Sequence, residues 1–145
     1  MNKRIDVQQL EPNSYKAMFG LEAYLSATAL TKAHKELIKI RASQINGCAY
    51  CLNMHTRDAL KAGETNQRIF LLNAWRETDL FTEEERVILA MTEEITLIQH
   101  AGLTDETYRK AEQIFDGHYI AQVIMAIVAI NAWNRIAIST RKELD

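Results

Sequence analysis

The chain has 145 residues, 48% hydrophobic and 25% charged, and its 17 basic and 19 acidic side chains give a net charge of -2. A single domain over residues 1–145 is the expected organisation, because domains commonly span about 100–200 residues. Lys and Arg are interspersed with Glu and Asp instead of forming a basic block, which argues against a phosphate-binding surface and so against a nucleic-acid partner.

The opening residues, MNKRIDVQQLEP, place no apolar run behind their basic side chains, so no secretory signal is expected and the chain is assigned to the cytoplasm. Residues 120–130 are the most apolar stretch, but they amount to about half of the ~20 residues a membrane span requires and they contain Gln122. They are expected to form a buried helix, with no membrane partner.

Pro12 is the only proline, and no segment of useful length alternates apolar with polar residues in the period of a half-buried strand, so an all-α fold of about six to seven helices is expected. Asn13 or Ser14 is a candidate cap for a first helix through Tyr15, Met18, Leu21 and Leu25 to about Ala29; Gly20 inside it costs about 1 kcal/mol relative to alanine. Thr31 caps a second helix, which ends near the breaker Asn46-Gly47. A third begins at about Cys48 and carries Cys51, His55 and Leu60 before Gly63, a residue suited to the left-handed position past a helix end.

Thr65 caps a fourth helix through Ile69, Leu72 and Trp75, and Thr82 with Glu85 forms a capping-box signature for a fifth. The fifth presents Val87, Ile88, Met91, Ile95 and Ile98 at helical spacing and stops before Gly102. Thr104 caps a sixth, ending near Gly117, and a last helix covers about His118 to Thr140. Its apolar residues, from Ile120 to Ile138, occupy more than one side, as in a helix that is central or packs against another subunit. Asn131 and Arg135 lie within it and need partners at a helix or subunit interface if they are buried.

Both cysteines of the chain fall in one stretch, ELIKIRASQINGCAYCLNMH, over residues 36–55. Cys48, Cys51 and His55 are spaced three and four apart, which places them on one face of a single helix. In the first turn, the two thiols lie at the positive end of the helix dipole and beside unpaired N–H groups, both of which favour the nucleophilic thiolate. His55 follows Cys51 by one turn and is placed to accept its proton, with a carboxylate to orient the imidazole. Glu36 is the candidate carboxylate, although spacing alone leaves the relative direction of the two helices open across the Asn46-Gly47 break.

Rival readings of the pair are weaker. Two small cysteines can simply fill a core. Zinc would find two thiolates and one imidazole, but structural zinc usually takes four ligands and there is no second CxxC or HxxxH cluster. A thioredoxin-type fold needs strands between its helices. His34, His100 and His118 have no mutual spacing that suggests a site, and Trp75, Trp133 and the methionines fall on apolar helical sides, as core or subunit-contact residues do.

The order Glu, eleven residues, CxxC, three residues, His resembles the active-site pattern of AhpD-like alkylhydroperoxidases, within the carboxymuconolactone decarboxylase family, and falls on Glu36, Cys48, Cys51 and His55. The phrase IRASQINGCAYCLNMHTRDALKAGE is similar to the family core, and TEEERVILAMTEEIT and NAWNRIAI to the second half of its short members. This resemblance implies an AhpD-like helical bundle that assembles as a homo-oligomer and reduces hydroperoxides in antioxidant defence, recharged by a thiol or dithiol reductant. It makes Cys51 the peroxidatic and Cys48 the resolving cysteine, with His55 and Glu36 as a proton relay and no cofactor, metal or flavin required.

One position departs from the pattern. The well-known AhpD proteins carry a relay histidine immediately before the second cysteine, where this chain has Tyr50, and a phenol of pKa near 10 is a poor general base at neutral pH. Slow peroxidase turnover is the expectation. Two other functions use the same sequence: a non-catalytic redox-sensing or partner-binding module that cycles the same disulfide, and the lactone decarboxylase of the family's name, whose chemistry does not rely on this cysteine pair.

Overall fold

Helix α3, Lys32–Asn46, is the axis on which the other elements are laid. The computed structural model describes residues 2–145, and helices are the only regular secondary structure among them. In chain order they are α1 (Val7–Leu10), α2 (Pro12–Ser26), α3, α4 (Ala49–Lys61), α5 (Asn66–Phe70), a 3-10 helix (Leu72–Glu77), α6 (Glu83–Thr96), α7 (Asp105–Ile114) and α8 (Gly117–Thr140).

Most helices start where a local side chain satisfies the first free N–H groups. Thr31, Thr65, Thr82, Thr104 and Asp116 each accept a hydrogen bond from the backbone N–H three residues on. Glu85 returns the bond to Thr82 N–H at 2.9 Å, completing the capping box.

Five expectations are corrected. Among the described residues eight α-helices and a 3-10 helix stand where about six to seven helices are expected, because the one-turn α1, capped by Asp6, precedes Pro12 and the helix after Thr65 is split in two. Helix α2 starts at Pro12, whose fixed φ suits the first helical position, so Asn13 and Ser14 lie inside the first turn and cap nothing. It also ends at Ser26, short of Ala29, because the Ala29 N–H is taken by the Gln122 side chain of α8 at 3.1 Å. The helix after Thr65 stops at Phe70; Leu72 and Trp75 belong to the 3-10 helix, broken at Ala74 with φ -113° and ψ 23°. Ile98 lies beyond α6 and is 58% exposed, so it is not part of that helix's apolar face.

Two groups of buried side chains flank α3. On one side Ile38 and Ala42 pack with Ile88 and Met91 of α6 and with Val123, Ile127 and Ile130 of α8. On the other, Leu37 and Ile40 pack with Leu72, Trp75, Phe81 and Leu89. A helix covered on both sides has little solvated surface left, and Glu36 is accordingly buried.

Helix α8 is the second central element and packs on α2, α3, α4, α6 and α7. By length and composition it could cross a membrane, with mean hydropathy 1.5 over an 18-residue window. Its polar residues, however, are paired inside the bundle. Asn46 Nδ2 donates to Asn131 Oδ1 and to Asn134 Oδ1, both at 2.9 Å, while Asn134 donates to Ser43 Oγ and Asn131 to Thr96 Oγ1, both at 3.0 Å. Arg135 joins through Asn131 Oδ1 at 3.0 Å. The partners of Asn131 are therefore found within the chain, at the contact of α8 with α3 and α6, whereas Arg135 is exposed and bonds only to Asn131 of its own helix.

Candidate active site

The site begins at the turn between α3 and α4. Gly47 adopts the left-handed conformation, φ 68° and ψ 37°, and its N–H and that of Cys48 bond back to Gln44 O and Ser43 O at 3.3 and 3.0 Å. This closure satisfies the last carbonyls of α3 and needs a residue without Cβ strain. It folds α4 back along α3, which settles the direction that spacing alone leaves open.

Cys48 is the N-cap of α4, its Sγ accepting from Cys51 N–H at 3.4 Å. The two sulfurs are joined in a disulfide, with Cα atoms 5.4 Å apart. Both residues are buried, 1% and 2% exposed, against Ala137 of α8, with Tyr50 packed beside them.

One turn beyond Cys51, His55 faces Glu36 across the α3–α4 contact. Its Nδ1 stands 3.9 Å from Glu36 Oε2, too far for a hydrogen bond, and neither buried atom has a partner. Burial, reinforced by the nearby Lys39 ammonium, pushes the His55 imidazole down to about 4, so it is neutral at pH 7 and the pair is not an ion pair there. Burial also holds the Glu36 carboxyl above the ordinary carboxylate range, opposed by Lys39, whose Nζ lies 3.4 Å from Oε1. Closing the gap by roughly 1 Å would make a hydrogen bond, and catalytic bonds are often long before substrate arrives.

Cys51 and His55 open onto a cavity of about 410 Å³ whose other walls include Tyr15 and Phe19 of α2 and Ile130 and Trp133 of α8. Cys48 and Glu36 do not border it; Glu36 instead borders a second cleft of about 380 Å³ with Arg68 and Glu85. The four residues expected at the site are thus brought together in two layers, Cys51 and His55 facing the cavity, Cys48 and Glu36 behind them. Tyr50 also faces the cavity, its ring 4.9 Å beneath Lys142 Nζ.

Trp133 packs against the core as expected and also forms a wall of the cavity, its indole N–H donating to Glu22 Oε1 at 2.9 Å. Lys39 was not legible as a site residue, although its i, i+3 spacing from Glu36 is a signal that would have found it. Tyr15 and Phe19 carried no signal, since only tertiary packing brings α2 to α4. Among the described residues no group of three or more His, Cys, Asp or Glu is arranged to hold a metal ion.

Against known proteins, residues 12–94 match the Carboxymuconolactone decarboxylase family. The uncharacterized protein YdfG of Bacillus subtilis (strain 168) is 41% identical over 139 residues, covering 96% of this chain and 95% of its own. A crystal structure of a protein of unknown function from Agrobacterium tumefaciens, described as a candidate antioxidant defence protein AhpD, is similar with TM-score 0.95 and 36% identity over 99% of both chains. The apo debrominase Bmp8 shares the fold at TM-score 0.84 and 18% identity, over 95% of this chain and 74% of that one. With the cysteine pair inside the matched span and that span covering more than half of the sequence, the chain belongs to the carboxymuconolactone decarboxylase family as an AhpD-like member.

Proposed function

We propose that the protein is a thiol-dependent peroxidase of the AhpD type that reduces organic hydroperoxides and is recharged by dithiol–disulfide exchange. The observation that carries this reading is the layering of the site: Cys51 and His55 share the wall of an apolar cavity, and Cys48 stands behind Cys51 within bonding reach. That arrangement suits a substrate-facing sulfur with a resolving partner shielded from substrate.

In the reduced enzyme the thiolate developing on Cys51, at the N-terminus of α4, is stabilised by the helix dipole, and neutral His55, too weak a base at about 4 to hold the proton at rest, takes it only as the S–O bond forms. The Cys51 sulfur attacks the terminal oxygen of ROOH; the O–O bond breaks, and the departing alkoxide collects the proton from His55. The strong acidity of the His55 imidazolium makes it a ready donor at that moment, and Glu36 steadies its transient charge. The products are ROH and Cys51 sulfenic acid. Cys48 then attacks the sulfenic sulfur, releasing water and forming the disulfide, which a thiol or dithiol reduces by exchange at the expense of its own oxidation. Tyr50 stands where the well-known AhpD proteins carry a relay histidine, so turnover is slow.

A cytoplasmic location and homo-oligomeric assembly are part of the same reading; the assembly is supported by the exposed apolar side chains Phe19, Tyr24 and Val128 on α2 and α8, and light scattering of the purified protein tests it. The function is tested by following hydroperoxide consumption with a recycling dithiol in the wild type, Cys48→Ser and Cys51→Ser, with a sulfenic-acid trap. Turnover in the wild type alone and trapped acid on Cys51 of Cys48→Ser are expected. No consumption above background, with neither cysteine oxidised, would end the peroxidase reading; stoichiometric oxidation without turnover would favour a redox sensor.

A further inference from the structure

The wall of the cavity beside Cys51 is not wholly apolar. Four charged side chains border it: Glu22, Lys35, Lys39 and Lys142. Three are engaged. Glu22 accepts from the Trp133 indole, Lys39 is held by Glu36 at 3.4 Å, and Lys142 lies over the Tyr50 ring. Lys35 is half-buried, and among the described residues its ammonium takes part in no ion pair or hydrogen bond.

An ammonium on the wall of an apolar cavity attracts an anion more strongly than one in open water, because apolar walls lower the local dielectric. The fold also sets a length. Lys35 adjoins Glu36 on α3, Glu36 is level with His55, and Cys51 lies one helical turn, about 6 Å, from His55 along α4. A ligand with its reactive end at Cys51 therefore extends past His55 before it meets Lys35. The cavity also has an aromatic wall, Trp133 standing 5.4 Å from Tyr15 and 5.9 Å from Phe19 between ring centroids.

We infer that the cavity takes a compact, preferably aromatic, hydroperoxide bearing a carboxylate at the end remote from the O–O bond, with Lys35 as its counter-ion. The hydroperoxide half of this rests on the peroxidase reading; the anion subsite rests on Lys35 and the cavity. Chemistry at the O–O bond is unchanged, ROOH becoming ROH at the expense of the two thiols. The carboxylate selects which ROOH is bound.

A matched pair of substrates isolates the charge: cumene hydroperoxide and its para-carboxylate derivative. In the wild type kcat/KM should favour the carboxylate by about tenfold, the size of one charge-assisted contact, with the difference in KM. Lys35→Gln should collapse that ratio toward one, and Lys35→Arg should restore it, which a merely structural role for Lys35 would not do. Equal kcat/KM for both substrates in the wild type, or an undiminished ratio in Lys35→Gln, overturns the inference. Should neither hydroperoxide be consumed, the peroxidase reading fails by itself. Equilibrium binding of the two redox-inert alcohols, 2-phenylpropan-2-ol and 4-(2-hydroxypropan-2-yl)benzoate, then decides the subsite: a carboxylate preference lost in Lys35→Gln supports it, and equal affinity in the wild type rules it out.

Discussion

Acidification should destabilise this protein through His55 by an amount the site itself sets. The folded imidazole is pushed from 6.5 down to about 4, so below pH 6.5 the unfolded chain takes up a proton that the folded chain refuses. Stability is undiminished above pH 6.5, falls as pH drops, and has lost the full contribution below about 4. The linkage amounts to about 2.5 kcal/mol between pH 8 and pH 4.5 and about 3 kcal/mol in all. Little solvent screening tempers it, because His55 is 8% exposed. The raised Glu36 carboxyl acts in the opposite sense, its folded form holding a proton over a range just above 4.5 in which the unfolded form has lost it. Urea unfolding of the wild type and His55→Gln from pH 8 to 4.5, at one fixed redox state, separates the two, since Glu36 is common to both curves. The wild type should lose about 2.5 kcal/mol relative to the variant over that range. Parallel stability curves would refute the assignment of a buried, neutral His55.

Further expectations concern the frame and Tyr50. Asn134→Ala removes a fully buried amide, leaves the Ser43 hydroxyl without its donor and takes one of two acceptors from Asn46, so it should cost about 2–3 kcal/mol in denaturant unfolding. Thr82→Ala breaks the capping box of α6 and should cost about 1 kcal/mol, read as a lowered Tm by calorimetry. Gly47→Ala forces a Cβ into the left-handed turn at φ 68° and should cost about 1 kcal/mol. Tyr50→His supplies a base beside Cys51 and should raise kcat/KM for cumene hydroperoxide by about tenfold or more at pH 7; an unchanged rate would mean that Tyr50 does not limit turnover.

What the sequence reveals here follows the range of the interactions. Thr31, Thr65, Thr82 and Thr104 could be read as helix starts because each side chain bonds to a backbone N–H three residues on. Cys48, Cys51 and His55 were legible as one face for the same reason, Cys51 and His55 belonging to α4 and Cys48 capping it. The end of α2 was not, since it is decided by Gln122, 93 positions after Ala29. Glu36 rested on resemblance until the left-handed Gly47 fixed how α4 returns along α3. The cavity had no local signature at all, because its walls come from α2, α3, α4 and α8, and periodicity reports only that Trp133 and Tyr15 lie on apolar sides.

The two sulfurs, equally buried, should nevertheless differ in accessibility. Cys51 borders the cavity, whereas Cys48 lies behind it against Ala137, so a reagent entering the cavity meets only Cys51. Reaching Cys48 requires the start of α4 to open, and each 1.4 kcal/mol of opening slows modification about tenfold when closure outpaces reaction. After reduction, a small neutral alkylating agent such as iodoacetamide should therefore label Cys51 at least about tenfold faster than Cys48, by peptide mass mapping of partially modified protein. Preferential labelling of Cys48 would reverse the assignment of substrate-facing and resolving cysteines. The same geometry constrains recharging: a thiol small enough to enter the cavity attacks the disulfide at Cys51 and expels Cys48, while a protein reductant must wait for α4 to open. Raising the opening cost should then slow a protein reductant and leave a small dithiol unaffected.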